Sequence, residues 1–305
     1  MSGASWGFGD RLAALFEGKL SRLLVLPALV MIGIFVVFPI VWSVCLSFTN
    51  YFTIGPTAVH YSFVGLTNYL TLFSAISEFP ASIKNSFIFT IFSALIGQVF
   101  LGLALAPLWR MKPPEGALGV LFKVLRTITI TVVFVSWIIP ESVAGYAWAA
   151  ITSEGGILTS LFGVKGALYT AKPMFTIIIA NIWRGTAFSM ILFTAALEGI
   201  PNYIYEAAEV DGATPFQRVR YVILPLLAYA IIVDLILITI WTFGVFTMPF
   251  MLLGPRGDIL WTLYVYQQAV QAFDPALAAT ASNVMFLIVL VLIIVYFKVL
   301  GRFSR

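Results

Sequence analysis

Six apolar runs, each long enough to cross a hydrocarbon layer, dominate the sequence: Leu23–Phe48, Ser86–Leu108, Ile128–Ile151, Met174–Leu197, Leu226–Leu253 and Leu277–Phe297. A helix needs about 20 apolar residues to traverse a bilayer core of roughly 30 Å. No water reaches peptide groups inside that layer, so each run must satisfy its own backbone as a helix. This predicts an all-α membrane protein with six transmembrane helices. Composition agrees: 61% of the 305 residues are hydrophobic and 10% charged, against about 45–50% and 25% in soluble domains. The first run is longer than a leader's apolar region and no small-residue cleavage site follows it, so it reads as a span.

The charges set an expected orientation. With both termini inside, Arg11, Lys19, Arg22, Arg110, Lys112, Lys123, Arg126, Arg218, Arg220, Lys298, Arg302 and Arg305 are inside, 12 of the 17 basic residues. Lys84, Lys165, Lys172 and Arg256 fall outside. Basic excess marks the cytoplasmic side, which predicts N-in and C-in. The formal charge of +4 comes from residues scattered at span ends, not from a basic cluster interleaved with aromatics, which argues against nucleic-acid binding. One cysteine, Cys45, excludes an intrachain disulfide, and one histidine, His60, gives no metal-ligand set. The chain divides into an N-terminal cytoplasmic segment, 1–22, and one six-helix membrane domain, 23–305. Within the former, Trp6–Phe16 has apolar residues at helical spacing, which suits a helix along the inner membrane surface or a plain cytoplasmic helix. In the outer loop Gly254–Pro275, Leu260–Phe273 carries Trp261, Tyr264 and Tyr266 and reads as a helix at headgroup level.

The loop of residues 205–225 between the fourth and fifth spans has its own pattern. Glu206-Ala207-Ala208-Glu209 favours helix, Asp211-Gly212 breaks it, and Thr214 can cap a second helix with Pro215 at its first position. That second helix is expected to stop before Pro225, where the next span starts. Two short helices with a turn, carrying small side chains, can dock in a partner's cleft. A plain amphipathic connection fits the same physics.

This loop resembles the EAA motif of ABC importer permeases: Glu-Ala-Ala, three residues, Gly, nine residues, Ile, one residue, Leu-Pro. Glu206, Ala207, Ala208, Gly212, Leu224 and Pro225 match, and Val222 stands in for Ile. Phe63-Val64-Gly65-Leu66-Thr67-Asn68-Tyr69 resembles the outer-loop signature of the maltose-type sugar permeases. Asn181-Ile182-Trp183-Arg184-Gly185-Thr186-Ala187-Phe188 and Ala196-Leu197-Glu198-Gly199-Ile200-Pro201 resemble other family segments. Ala187 departs from a common Pro, and Leu253-Gly254-Pro255 from the usual Gly-Gly-Pro. The resemblance implies a type I importer permease fold in the cell membrane. It also implies a coupling helix, with Glu206, Ala207, Ala208, Asp211, Gly212 and Pro215 as contacts to an ATP-binding subunit. The implied assembly holds a second, different permease, two ATP-binding subunits that bind ATP and Mg, and an external sugar-binding protein.

Polar residues within spans are costly and often functional. Asn181, Arg184 and Phe188 share one helix face. Asp234, Trp241, Thr242 and Val245 lie near one face of the next span. Amide, guanidinium, carboxylate and hydroxyl groups suit sugar hydroxyls, and Phe188 and Trp241 suit the CH faces of sugar rings. The resemblance adds Gly185 and Ile238 to this set of substrate contacts. Arg184 and Asp234 also suit an interhelical ion pair that only holds the bundle. Glu141, after Pro140, is placed to line the pathway or to pair with a basic side chain.

No Gly-x-x-x-x-Gly-Lys-Ser/Thr sequence occurs, so the chain is expected to hold no ATP site or cofactor and to be no enzyme by itself. The main expectation is the permease subunit of an ATP-driven sugar importer. An ion-gradient carrier using Asp234 and Glu141, and an intramembrane lipid enzyme, are the competing readings. A polyol or glycerol phosphoester cargo stays open because a guanidinium suits an anion.

Overall fold

The computed structural model describes residues 25–303; the Trp6–Phe16 pattern and the rest of segment 1–22 lie outside them. Among the described residues, six helices are long and apolar enough to span a membrane. They are α1 (Val25–Leu46), α3 (Phe79–Trp109), α4 (Ala117–Ile138), α6 (Pro173–Glu198), α8 (Pro215–Phe243) and α11 (Pro275–Phe303). Shorter helices join them: α2 (Thr67–Leu72), α5 (Glu141–Thr152), α7 (Asn202–Val210), α9 (Thr247–Leu253) and α10 (Trp261–Tyr266).

Helix α6 is the hub, packing against α3, α4 and α8. Small residues permit the close approach: a Cβ on Gly97 would strike Ile182, and one on Gly102 would strike Ser189. Two apolar clusters divide the core. One, around Phe89, Trp148, Ile177, Met248 and Leu263, joins α3, α5, α6, α9 and α10. The other, around Ala94, Val99, Phe193, Leu227 and Ile238, joins α3, α6 and α8 at the end nearer α7.

Among the described residues, α1 packs chiefly on α11. Ser43 Oγ donates to Asn283 Oδ1 at 3.1 Å, and Asn283 Nδ2 donates back to the Ser43 carbonyl at 3.2 Å. The segment Phe63–Tyr69 then closes the end of α1. Asn68 Nδ2 donates to the Ser47 and Thr49 carbonyls at 2.9 and 2.8 Å. An antiparallel bridge pairs Thr49 with Phe63, and Ser47 Oγ meets Tyr69 Oη at 3.0 Å. Carbonyls at a helix end have no partner in the helix, so this strap supplies them.

Three sequence expectations shift. The third span is not Ile128–Ile151. Its helix runs from Ala117 and stops at Ile138 because Ile139 and Pro140 are extended, with ψ of 130° and 141°. Proline cannot donate an amide and disfavours the helical conformation at the preceding residue. Lys123 and Arg126 therefore sit inside α4, where Arg126 Nη1 reaches the Met111 carbonyl at 3.2 Å. The fifth span is not Leu226–Leu253: the helix ends at Phe243, and Thr247–Leu253 turns back as α9 against α5. The helix begun at Pro215 does not end before Pro225 but continues into α8. A π-helical stretch, Arg218–Ile223, precedes the proline and shifts the hydrogen-bond register it interrupts. Helix α10 is also packed into the bundle. Leu260, Leu263 and Tyr264 are buried, Trp261 Nε1 donates to the Phe243 carbonyl, and Thr262 Oγ1 donates to that of Val245 at 2.9 Å.

Candidate functional site

The end of α8 and the middle of α6 meet across a cavity of about 460 Å³. Asn181, Arg184, Gly185 and Phe188 line it from α6, and Ile238, Trp241, Thr242 and Val245 from α8 and its end. The turn after Phe243 is what brings Val245 round to the cavity, and Trp261 and Thr262 hold that turn by capping its carbonyls.

Each wall residue is fixed by neighbours. Asn181 Nδ2 donates to Ser93 Oγ at 2.9 Å and lies 3.5 Å from Thr242 Oγ1, so three helices meet at one amide. Gln98 Nε2 donates to the Asn181 carbonyl at 3.1 Å. Gly185 is required by this arrangement, since a Cβ there would occupy the Gln98 side-chain position. Gln98 ends a nine-residue π-helical stretch, Thr90–Gln98, in α3; such stretches re-aim side chains within a helix. Phe188 meets Trp241 edge to face at 4.6 Å and lies 6.2 Å from Trp137. Trp241 is 51% exposed in the isolated chain, so it offers an open aromatic surface rather than filling a core.

The charges do not pair as one expectation had it. Arg184 Nη1 contacts Glu141 Oε1 at 3.0 Å, not Asp234. The break at Pro140 starts α5 with Glu141 in its first turn, where amide dipoles favour a carboxylate. Asp234 does not join the cavity either. It is fully buried beside Ser189, and among the described residues neither carboxylate oxygen has a hydrogen-bond partner. It sits four residues before Ile238, a full turn deeper in α8. The sequence reading missed Gln98, Trp137, Phe246 and Thr247 among the lining residues. Gln98 carried a signal, as a polar residue within an apolar run; the others come from elements whose paths no local pattern reveals.

The loop at the far end has the expected two helices and turn. Helix α7 ends at Val210, and Gly212 takes a positive φ of 73°, a conformation that penalises residues with a Cβ. The Ala213 amide donates back to the Ala208 carbonyl at 3.0 Å. Thr214 and Gln217 form a reciprocal capping box, 2.8 and 3.4 Å. Glu206, Ala207, Asp211, Gly212 and Pro215 are exposed, while Ala208 is buried. Val210 and Phe216, 88% and 76% exposed, flank the turn; they were missed because an isolated apolar residue in a loop carries no pattern. Arg110 ties this unit to the bundle. Its Nη1 donates to the Leu197 carbonyl at 2.6 Å, its Nη2 to Asn202 Oδ1 at 2.7 Å, and it lies 5.1 Å from the Tyr205 ring centre.

No family model matches the chain. Among curated proteins, it is 32% identical over 298 residues to the trehalose/maltose transport system permease protein MalF of Thermococcus litoralis, covering 95% of this chain and 96% of that one. It is 28% identical over 304 residues to the sulfoquinovosyl glycerol transport system permease protein SmoG of Agrobacterium fabrum, covering 96% and 91%. It is 27% identical over 299 residues to the sn-glycerol-3-phosphate transport system permease protein UgpA of Yersinia pseudotuberculosis, covering 94% and 96%. Among solved structures, a chain of a bacterial ABC transporter involved in import of the acidic polysaccharide alginate superposes with a TM-score of 0.72 at 20% identity, covering 96% of this chain and 99% of that chain.

Proposed function

The chain belongs to the maltose-type family of ABC importer permeases, and from that premise we propose that it forms one half of the membrane pathway of a binding-protein-dependent sugar importer. The observation that carries the reading is the cavity. Eight of the nine residues the sequence nominated for substrate contact, from two different spans, line one space of about 460 Å³. That space combines a flat aromatic, Trp241, with amide, guanidinium and hydroxyl donors at Asn181, Arg184 and Thr242. A ligand site of this kind needs mostly apolar walls and a few placed polar groups. Its exposed side is the natural place for a second, different permease to complete the pathway.

In this reading both termini and the 205–225 loop face the cytoplasm. The loop enters a cleft on one of two ATP-binding subunits, led by Val210 and Phe216 with Glu206 and Gly212. ATP and Mg are bound and ATP is hydrolysed by those partners. The external binding protein delivers cargo to the opposite face, as the relatives' trehalose/maltose and sulfoquinovosyl glycerol systems suggest for a sugar or sugar conjugate. An ion-gradient carrier is not favoured: Glu141 is committed to Arg184, and Asp234 lies off the cavity.

The test is the ATPase rate of the purified complex with and without sugar-loaded binding protein. The reading expects stimulation by the loaded protein and its loss on Glu206→Lys. It is overturned if the chain purifies without an ATP-binding partner and the loop variant transports normally.

A further inference from the structure

The relatives are named for cargoes of different charge: they include a trehalose/maltose system and an sn-glycerol-3-phosphate system. Arg184 alone would point to an anion, because a guanidinium suits carboxylate and phosphate. We propose that Glu141 is a specificity-determining residue that neutralises Arg184 and commits the cavity to uncharged sugars. This deepens, and rests on, the sugar-importer reading.

Three observations carry it. First, Glu141 and Arg184 are the only ionisable side chains that line the cavity among the described residues, and they are of opposite sign. Their formal charges cancel. Second, they are in direct contact, Arg184 Nη1 to Glu141 Oε1 at 3.0 Å, and both are largely screened from outside, at 21% and 32% side-chain exposure. An anionic cargo that approached the guanidinium would meet the carboxylate at the same place. At such short range salt screens that repulsion little. Third, the pair is held from both sides. Glu141 is set at the start of α5 by the Pro140 break. Arg184 stands near the middle of α6, whose adjoining backbone is fixed by Ser136 Oγ donating to the Trp183 carbonyl at 2.9 Å. Neither partner is on a free loop that swings away when an anion arrives. Only Nη1 is engaged by Glu141. The remaining wall, Asn181, Thr242 and Gln98 with Phe188 and Trp241, is neutral hydrogen-bonding and aromatic chemistry.

The experiment uses the complete complex in nanodiscs and a matched pair of probes, trehalose and trehalose 6-phosphate, which differ only in the phosphate. Binding is read from quenching of tryptophan fluorescence, since Trp137 and Trp241 line the cavity, and checked by displacement of radiolabelled trehalose. The wild type is expected to bind trehalose at least about tenfold more tightly than its phosphate. In Glu141→Gln that ratio falls about tenfold or inverts. Glu141→Asp keeps the wild-type preference, and the double variant E141Q/R184Q, with no charge left in the cavity, recovers it after E141Q has lost it. The double variant also keeps the comparison available if the unpaired arginine of E141Q impairs assembly, because removing both charges leaves none uncompensated. A wild type that prefers the phosphate, or an E141Q complex that binds trehalose with an unchanged ratio, overturns the inference. A wild type that binds neither probe, nor maltose and its phosphate, overturns the inference together with the sugar reading of the cavity.

Discussion

The 205–225 loop and the cavity between α6 and α8 teach opposite lessons about how function is written into this chain. The loop is local. Its two helices, the Gly212 turn and the Thr214–Gln217 capping box are specified by residues within a few positions of one another, and its outward surface depends on little else. The cavity is assembled from α3, α4, α5, α6, α8 and the chain after Phe243, segments far apart in sequence. On the proposed function, a change in the loop breaks communication with a partner while the bundle stands, and a change in the cavity alters what the bundle accepts.

The largest effect is expected in the loop. Gly212→Val places a β-branched residue at a φ of 73°. That costs about 1–3 kcal/mol, enough to reduce stimulated ATPase roughly 10–100-fold, with the complex still assembled by size-exclusion chromatography. The next breaks the comparison inside the membrane, where two charged residues one span apart differ in surroundings. Arg184→Gln removes a charged hydrogen-bonding group from the cavity, worth about 1.5–3 kcal/mol, and should lower uptake in proteoliposomes at least about tenfold. Asp234→Asn, away from the cavity, should leave uptake within about twofold of wild type. Equal effects from both would mean that the cavity is not the pathway. A smaller effect is expected from Trp241→Ala, which removes the open aromatic face. The loss of about 1–1.5 kcal/mol of stacking should raise the apparent KM for uptake roughly tenfold with kcat little changed. The smallest concerns neither region. Asn68→Ala removes two bonds to the end of α1, about 1–2 kcal/mol. It should lower the Tm of the complex by a few degrees and leave transport intact.

The same contrast explains what was legible in the sequence. Hydropathy located all six crossings, because a bilayer demands an apolar run for each one. It misplaced the third and fifth because it measures apolarity, not direction: Ile128–Ile151 is continuous in hydropathy yet turns at Pro140, and Leu226–Leu253 is continuous yet folds back after Phe243. Pro140 was visible, but its consequence depends on α5 finding α9 to pack against. Pro225 was equally visible and broke nothing, since the π-helical turn before it absorbs the missing donor. Helical spacing placed Asn181, Arg184 and Phe188 on one face correctly. It could not show that Arg184 meets Glu141 rather than Asp234, because that depends on where α5 leaves the third span. The segment Phe63–Tyr69, legible as a signature, turns out to have a mechanical use: Asn68 donates to the helix-end carbonyls of α1.

The most direct measurement is to map where cargo sits. The complete complex, trapped with ATP and its binding protein, is loaded with a photoactivatable trehalose, and the adducts are located by mass spectrometry. Labelling concentrated in Asn181–Phe188 and Ile238–Val245, and suppressed by excess trehalose, is the predicted result. Specific labelling confined to other segments, with these two left clean, would contradict the assignment of the cavity as the sugar pathway.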